Sequence, residues 1–306
     1  MTWSEERIHR WLSRRKRPEV LAGSSGHDAA VLAPVKGRPV VCTDACAAGV
    51  HYAHGAPARA VGRKAAARSL SDLAATAARP HALILGLRAP KEASEARLRG
   101  LIDGVDRAGR SWGAALVAGD LCLAPGPECL TVTALGFVSA SARPVGRDRG
   151  EAGDTLVLTG PVGGSLLGRH LRFEPRLAAG AWLAARGARA MQDVSDGLAL
   201  DVFRLARASG LRATLDDVPI HADARRLSRQ SGESALHHAL HDGEDHELIA
   251  ALPAPKLARL WREAPEHCPG LVAIGKLARG KGLVLEWPGE APRRWSLRSG
   301  GWIHGT

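Results

Sequence analysis

The residues best suited to chemistry are acids in a basic chain. The segment QDVSDGLALD, residues 192–201, places Asp193, Asp196 and Asp201 around a serine and a glycine, although Lys and Arg outnumber Asp and Glu by 42 to 31. Carboxylates this close repel one another unless cations lie between them. Mg²⁺ takes carboxylate oxygens as ligands, together with the phosphate oxygens of a substrate. The segment therefore indicates a magnesium and phosphate site.

Further acids occupy one kind of position in the predicted elements. Asp28 opens a short strand, Asp44 ends the run RPVVCTD, and Asp120 ends the run ALVAGD, whereas Asp193 and Asp196 flank a helix start. In open α/β layers the ends of strands line the ligand crevice, so carboxylates from separate segments can meet there. We therefore predict that these acids converge on one site.

Each acid also has a structural interpretation. Asp193 or Ser195 can cap the helix that follows, a contact worth about 1 kcal/mol, and Asp201 can lie on the solvated face of that helix. Asp72 lies four residues after Arg68, which is the spacing of an ordinary surface ion pair. Acids at strand ends commonly form turns. Only the joint pattern favours a metal site over these alternatives.

Two other motifs leave both interpretations open. LTGPVGGSLLG, residues 158–168, reads as a strand, glycines and a helix start, but it lacks the G-K-[ST] ending and the G-x-G-x-x-G spacing of nucleotide loops. It fits a tight turn, or a backbone contact with a ligand. His237 and His241 have the i, i+4 spacing of a zinc pair, whereas surface histidines explain them equally. The acid-rich turn DGEDHEL, residues 242–248, is more typical of a site.

The elements that must position these residues alternate between strands and helices. HDAAVLAP (27–34) and RPVVCTD (38–44) predict paired strands, and a helix runs from Pro57 to the residue before Pro80. Residues 139–153 lack hydrophobic periodicity and carry Pro, Gly and charge, which indicates a domain boundary. The prediction is a mixed α/β fold with an N-terminal domain over residues 1–142 and a C-terminal domain over residues 143–306.

Composition excludes several classes of protein. No apolar run approaches the roughly 20 residues of a membrane span, and the charged opening is unlike a signal peptide, so a cytoplasmic protein without a membrane partner is expected. Five cysteines without a C-x-x-C pair favour free thiols over disulfides or a zinc knuckle. The formal charge of +11 is spread over scattered arginines rather than a stripe with aromatics, which argues against a nucleic-acid partner.

The motifs together resemble one family. GHDAAVL, VVCTDACAAGVHY, GRKAAARSLSDLAATAARP, LVAGD, DVSDGLALDV and DGEDHEL occur in the order, and at about the spacing, of thiamine-monophosphate kinases. That family belongs to the superfamily of aminoimidazole ribonucleotide synthetase and the selenophosphate synthetases. The resemblance implies an N-terminal α/β domain that forms a β-barrel with its copy in a homodimer. It also implies a C-terminal α/β domain that closes the substrate cleft.

The resemblance also implies a reaction and a set of site residues. The reaction is Mg²⁺-dependent transfer of the γ-phosphoryl group of ATP to thiamine monophosphate, which gives thiamine diphosphate. The implied magnesium ligands, of which Asp44, Asp72 and Asp193 are the catalytic ones, are Asp28, Thr43, Asp44, Asp72, Asp120, Asp193 and Asp196. The implied ATP contacts are Gly119, Asp120, Arg147 and Ser195. The implied substrate contacts are His51, Glu244 and Trp302.

The chain departs from the family pattern at several positions. His27 replaces the first acid of G-D-D, and Cys42 replaces a serine before Thr43. Leu121, Cys122 and Leu123 follow Asp120 where polar residues are usual, and the G-G-E-D-Y-E-L motif here has Asp242 and His246 in its first and fifth positions. Two alternatives to the kinase therefore stay open: a paralogue with another phosphorylated or carboxylated acceptor, and a nucleotide-binding protein that has lost turnover.

Overall fold

The computed structural model describes residues 5–15, 18, 20–22, 29–297 and 300–302. The chain divides into two compact units. Unit 1 comprises residues 1–73 and 78–142, and unit 2 comprises residues 74–77 and 143–306. Asp28 lies outside the described residues. Of the helices in the described part of the chain, none combines the length and apolar character that a membrane span needs.

Unit 1 is built on a four-stranded sheet. Its elements are α1 (Glu5–Ser13), β1 (Val20–Ala22), β2 (Val31–Leu32), β3 (Arg38–Ala47), α2 (Ala58–Ala75), β4 (Arg79–Ala89), α3 (Glu95–Ser111), β5 (Ala115–Leu123) and β6 (Cys129–Val138). The strand order is β3-β6-β4-β5, and β1 pairs with β2 in a separate ribbon. The last two residues of α2 group with unit 2.

The two faces of this sheet differ in burial. In β3 the even-numbered residues from Val40 to Cys46 are half-buried or buried, and the odd-numbered residues Val41, Thr43 and Ala45 are exposed. Ser69 of α2 donates a hydrogen bond to the Val132 carbonyl of β6 at 2.8 Å, which shows that α2 covers the even face. The outer face carries exposed apolar side chains, Val41 at 68% and Ile84 at 43%.

Unit 2 is built on a seven-stranded sheet in the order β13-β12-β9-β11-β7-β10-β8. Its elements are β7 (Thr155–Leu158), α4 (Leu177–Ala185), β8 (Ala190–Asp193), α5 (Leu198–Ala208), β9 (Arg212–Leu215), α6 (Ala222–Ser231), α7 (Ala235–His241), β10 (Leu248–Leu252), α8 (Ala254–His267), β11 (Val272–Ala278), β12 (Gly282–Leu285) and β13 (Arg293–Trp295).

Both faces of the central strands in unit 2 are covered. Ile249 and Ala251 of β10 belong to one core cluster, which contains buried residues of α5, and Ala250 and Leu252 belong to a second cluster, which contains residues of α4 and α8. A strand buried on both sides reads as a continuous apolar run, as LIAAL does here. Antiparallel pairing of β10 with β8 sets Leu248 opposite Asp193. The start of β10 therefore lies beside the end of β8.

The structure corrects several predictions from the sequence. RPVVCTD pairs with β6 rather than with HDAAVLAP, whose two-residue strand β2 pairs with β1. Asp44 and Asp120 lie within β3 and β5, not at their ends, because these strands continue to Ala47 and Leu123. The glycine-rich turn leads into two short 3₁₀ turns, Ser165–Leu167 and Arg169–Leu171, instead of an α-helix.

Candidate functional site

The acids of unit 1 do not share one strand-end position. Asp44 is opposite Val132, Val132 is opposite Leu85, and Leu85 is opposite Gly119. Asp120, one residue after Gly119, therefore projects from the opposite face to Asp44. Their strands are separated by two others, which corresponds to about 14 Å across the sheet. The sequence predicted that Asp44 and Asp120 converge, because each ends a predicted strand. Within this sheet that prediction is wrong.

Asp44 and Asp72 lie on the helix-covered side of the sheet in unit 1. Asp44 projects from the even face of β3, and Arg68 of α2 lies 3.8 Å from its carboxylate. Asp72 is half-buried one turn later on the same helix, whose residues Leu70 and Leu73 are fully buried. The helix is thus not the surface helix that a simple ion-pair interpretation of Asp72 requires.

Thr43 and Cys42 make contacts that set them apart from Asp44. Thr43 projects from the outer face and its hydroxyl hydrogen-bonds with Thr133 at 3.0 Å. The Cys42 thiol donates to the Ser69 carbonyl at 3.1 Å, which directs it into the layer between β3 and α2. Adjacent residues of one strand face opposite sides. The side chains of Thr43 and Asp44 therefore lie on opposite faces of the sheet and cannot bind the same ligand.

His51 lies in the turn after β3, and a buried lysine fixes that turn. His51 Nδ1 accepts a hydrogen bond from the Ala47 amide at 3.0 Å, and Lys64 Nζ donates to the His51 carbonyl. Lys64 is fully buried on α2. Sequence reasoning missed Lys64; the signal for it was a lone lysine within the alanine-rich stretch AVGRKAAAR.

In unit 2, three segments distant in sequence form one cluster. Glu244 donates its amide hydrogen to the Ser195 carbonyl at 2.8 Å, and Trp302 donates its amide hydrogen to the Asp196 carbonyl at 2.9 Å. Asp193 ends β8 and is buried, whereas Trp302 exposes 50% of its surface. The structure thus brings together five residues that the sequence predicted for a site, namely Asp193, Ser195, Asp196, Glu244 and Trp302.

The buried Asp201 side chain holds the loop of this cluster by hydrogen bonds to its backbone. The side chain is fully buried, and its Oδ2 accepts the amide hydrogens of Ser195 at 3.0 Å and Asp196 at 2.9 Å. Burial raises the pKa of Asp201 to about 7, against the opposing effect of these backbone hydrogen bonds. The alternative interpretation of Asp201 as a solvated helix residue is therefore wrong. The alternative in which Asp193 or Ser195 caps α5 is also wrong, since Gly197 precedes the helix without a side-chain cap.

His246 lies between two acids of the cluster. Its Nδ1 is 3.0 Å from Asp193 Oδ2 and its Nε2 is 3.3 Å from Glu244 Oε2. Burial alone lowers the pKa of His246, but the hydrogen bonds to the two carboxylates and their negative charges raise it to about 9. Glu244 and His246 both have positive φ, at 57° and 54°. Such strain in non-glycine residues is concentrated at functional sites.

The other acids of DGEDHEL hold the glycine-rich turn. Both carboxylate oxygens of Asp245 accept the Gly163 amide hydrogen, at 2.9 and 3.0 Å, and Asp242 accepts that of Gly164 at 3.0 Å. Ser165 donates its hydroxyl to the Glu244 carbonyl at 2.7 Å. The amides that a phosphate loop would offer to a ligand are thus used within the protein. This resolves the open interpretation of LTGPVGGSLLG in favour of a tight turn.

Arg147 lies next to β8. The Met191 amide donates to the Gly146 carbonyl at 3.0 Å, and Gly146 pairs in parallel with Ala190. The Arg147 side chain is exposed. Arg147 therefore flanks the strand that ends in Asp193.

In unit 1, Gly119 and Asp120 are exposed on β5.

The donor atoms present suit magnesium better than zinc. Among the described residues, no three His, Cys, Asp or Glu side chains gather as a ready-made metal site, so His237 and His241 lack the further ligands of a structural zinc. Mg²⁺ is instead bound through one or two carboxylates plus substrate phosphates. Asp44 and Asp72 in unit 1, and Asp193 in unit 2, supply carboxylates of that kind. Asp196 is already paired with Arg204.

Comparisons with known proteins identify similar sequences and structures. Residues 26–138 match the family described as AIR synthase related protein, N-terminal domain. The thiamine-monophosphate kinase of Rhodopirellula baltica is 35% identical over 304 residues, which cover 95% of this chain and 93% of that protein. The crystal structure of thiamine-monophosphate kinase from Stenotrophomonas maltophilia has a TM-score of 0.78 at 33% identity, over 93% of this chain and 95% of that one.

A third similarity concerns the fold. The structure of AaThiL complexed with AMPPCP and TMP has a TM-score of 0.73 over 84% of this chain and 86% of that chain, at 24% identity. These proteins are mixed α/β, as the chain is here.

Proposed function

The chain belongs to the thiamine-monophosphate kinase family, and from that membership we propose that it transfers the γ-phosphoryl group of ATP to thiamine monophosphate. The observation that carries the proposal is the main-chain linkage of residues 193–196, Glu244 and Trp302 into one cluster. These are the positions at which the resemblance places metal, nucleotide and substrate contacts. The AaThiL protein, which binds AMPPCP and TMP, supports the same pair of substrates.

The physical demands of this reaction fit the side chains available. The acceptor is already a phosphate oxygen, so no strong general base is needed, and catalysis depends on aligning two anionic phosphates and neutralising their charge. Bound Mg²⁺ supplies that neutralisation. We propose that Asp44 and Asp72 hold magnesium in unit 1 and that Asp193 does so in unit 2. Asp28 and Asp196 are further proposed ligands, as are Thr43 and Asp120, which would bind a separate ion from Asp44 because they project from the other face of the sheet.

The substrate contacts follow from charge and exposure. Glu244 presents a carboxylate that is 14% exposed, which suits the cationic thiazolium ring of thiamine. Trp302 presents an exposed indole, which can stack on the rings of thiamine while its amide is held by Asp196. His51 is the proposed third substrate contact, and Gly119, Asp120, Arg147 and Ser195 are the proposed ATP contacts.

We also propose that the chain acts as a homodimer. The outer face of the unit 1 sheet exposes Val41 and Ile84, next to the half-buried Leu135 and Phe137. An exposed apolar sheet face of this kind is typical of an interface. Covering it with the same face of a second copy would produce the barrel that the resemblance implies, and Thr43 and Asp120 would then lie at that interface.

Product formation tests the proposed reaction. ATP, Mg²⁺ and thiamine monophosphate are incubated with the protein, and thiamine diphosphate and ADP are separated by chromatography. We expect equal amounts of both products from the wild type, none from Asp193→Asn, and wild-type yields from Asp217→Asn, whose side chain is exposed outside the cluster. ATP binding without product would instead favour a different acceptor, and product from Asp193→Asn would remove this residue from the reaction.

A further inference from the structure

His246 connects two carboxylates that the proposed function uses for different ligands. Asp193 Oδ2 lies 3.0 Å from one ring nitrogen and Glu244 Oε2 lies 3.3 Å from the other. The ring is 2% exposed, so it cannot itself contact a substrate. Phe173 stacks on its face at a centroid distance of 4.1 Å and an interplanar angle of 14°. The ring therefore has a single orientation, fixed by an aromatic neighbour and two acceptors.

The geometry of the ring lets it serve both acids together. Carboxylate oxygens accept hydrogen bonds, and each ring nitrogen lies within contact distance of a different carboxylate. The ring thus joins Asp193 to Glu244 and lies between two carboxylates that would otherwise repel each other in a buried place. The backbone supports this arrangement, since the His246 amide donates to the Val194 carbonyl at 2.8 Å.

We propose that His246 is a positioning residue that sets the orientation of Asp193 and Glu244 together, and so couples magnesium binding to thiamine monophosphate binding. The inference rests on the proposed function, because it takes Asp193 as a metal ligand and Glu244 as a substrate contact. The family pattern has tyrosine here, and a tyrosine hydroxyl carries one hydrogen to donate. It can donate to one of the two acids only, so a tyrosine at this position could not make both contacts.

The first test replaces His246 with phenylalanine, which keeps an aromatic ring against Phe173 and removes both ring nitrogens. A hydrogen bond to a charged group is worth about a factor of ten or more in an equilibrium constant. In His246→Phe we therefore expect the KM for thiamine monophosphate and the Mg²⁺ concentration for half-maximal rate each to rise about tenfold. His246→Tyr retains one donor, so it should change one of these two quantities and not the other.

His238 provides the matched control. It is also a buried histidine with both nitrogens engaged, at 2.9 Å from Asp242 and 2.7 Å from Ser231, but it contacts none of the proposed site residues. His238→Phe should lower the thermal transition about as much as His246→Phe while both kinetic quantities stay within twofold of the wild type. Equal kinetic changes in the two variants would mean a general structural effect and would overturn the inference.

A double-mutant cycle tests whether His246 affects substrate binding through Glu244 or independently of it. If His246 acts on substrate binding through Glu244, His246→Phe should change the KM less than twofold in a Glu244→Gln background. A full tenfold change there would overturn the inference, as would folded His246→Phe and His246→Tyr proteins with both quantities unchanged. If His246→Phe does not fold, the tyrosine variant decides on the same criteria. A wild-type protein without product would overturn the proposed function itself, which distinguishes the two failures.

Discussion

The acids of DGEDHEL differ in role, and Glu247→Gln tests that division. Glu247 is 4% exposed, and its carboxylate accepts hydrogen bonds from the Thr159 hydroxyl at 2.5 Å and from Arg176 Nε at 2.8 Å, with a second Arg176 contact through Nη2. A glutamine amide offers one acceptor oxygen. The NH₂ group of glutamine must therefore face either the Arg176 guanidinium or the Thr159 hydroxyl. Both of these groups are hydrogen-bond donors, so the NH₂ group finds no acceptor there.

The size of the effect follows from these contacts. Removing one partner of a buried ion pair costs about 3–5 kcal/mol, and one hydrogen bond to a charged group is worth about 1.5–3 kcal/mol. The Arg176 side chain is 41% exposed, so water can solvate its unpaired guanidinium. We therefore expect Glu247→Gln to lower the free energy of unfolding by about 2–3 kcal/mol, which is less than the loss for a fully buried ion pair and within the range for one hydrogen bond to a charged group.

Urea denaturation followed by tryptophan fluorescence measures this loss, because Trp182 and Trp295 are buried in unit 2. Glu286→Gln, at an exposed position, should unfold as the wild type does. Glu244→Gln should change stability by less than about 1 kcal/mol, since the contact of its carboxylate with His246 is long at 3.3 Å, yet raise the KM for thiamine monophosphate. The division of roles is refuted if Glu247→Gln is as stable as the wild type, or if it raises the KM as Glu244→Gln does.

Three further predictions concern other parts of the chain. Gly163→Ala should abolish soluble folded protein, because φ is 95° and the added Cβ would lie 2.6 Å from Ala239 Cα; normal expression and an unchanged melting curve would contradict this. Burial, with the nearby His237, lowers the pKa of His241 to about 4, so the unfolded chain takes up a proton at this residue first and stability falls as the pH drops from about 6.5 to 4. His241→Gln should reduce the loss of urea midpoint between pH 7 and 5, and His267→Gln, at an exposed position of the same unit, is the control; equal losses in the wild type and His241→Gln would exclude His241 as a cause. Ile84→Lys should convert a dimer to a monomer in sedimentation velocity, unlike Leu166→Lys at an exposed apolar position in unit 2, and a dimeric Ile84→Lys protein would argue against the proposed interface.

Local signals predicted the helices better than the strand pairing. Pro57 marks the start of α2 correctly, because the helix begins at Ala58, whereas the helix ends at Ala75, four residues earlier than Pro80 indicates, since Pro80 lies within β4. The pairing of β3 depends on β6, which sets Asp44 opposite Val132. No nearby residue specifies a partner so far along the chain, and the hairpin expected from the short connection between 27–34 and 38–44 is therefore absent.

Several of the residues predicted for a site lie together in unit 2, but the contacts that hold them together were not predicted. Asp193, Ser195, Asp196 and Glu244 were candidates from motif spacing, and the structure brings them into one cluster. A solvated face was an alternative for Asp201, because helical periodicity does not show that the loop of residues 195–196 folds back over its side chain. Likewise, the glycine-rich turn kept two interpretations because its amides are satisfied by an acid 82 residues later.

The way the 242–247 turn uses its side chains limits how this protein can change. Asp242 and Asp245 anchor the glycine-rich turn, Glu247 binds Arg176, and Glu244 and His246 face the cluster. Deleting or inserting one residue would move every one of these side chains away from its partner at the same time. If Glu244 contacts the acceptor as proposed, new acceptor preferences can arise here by substitution at positions 244 and 246, whereas a change in loop length would remove the fold and the site together.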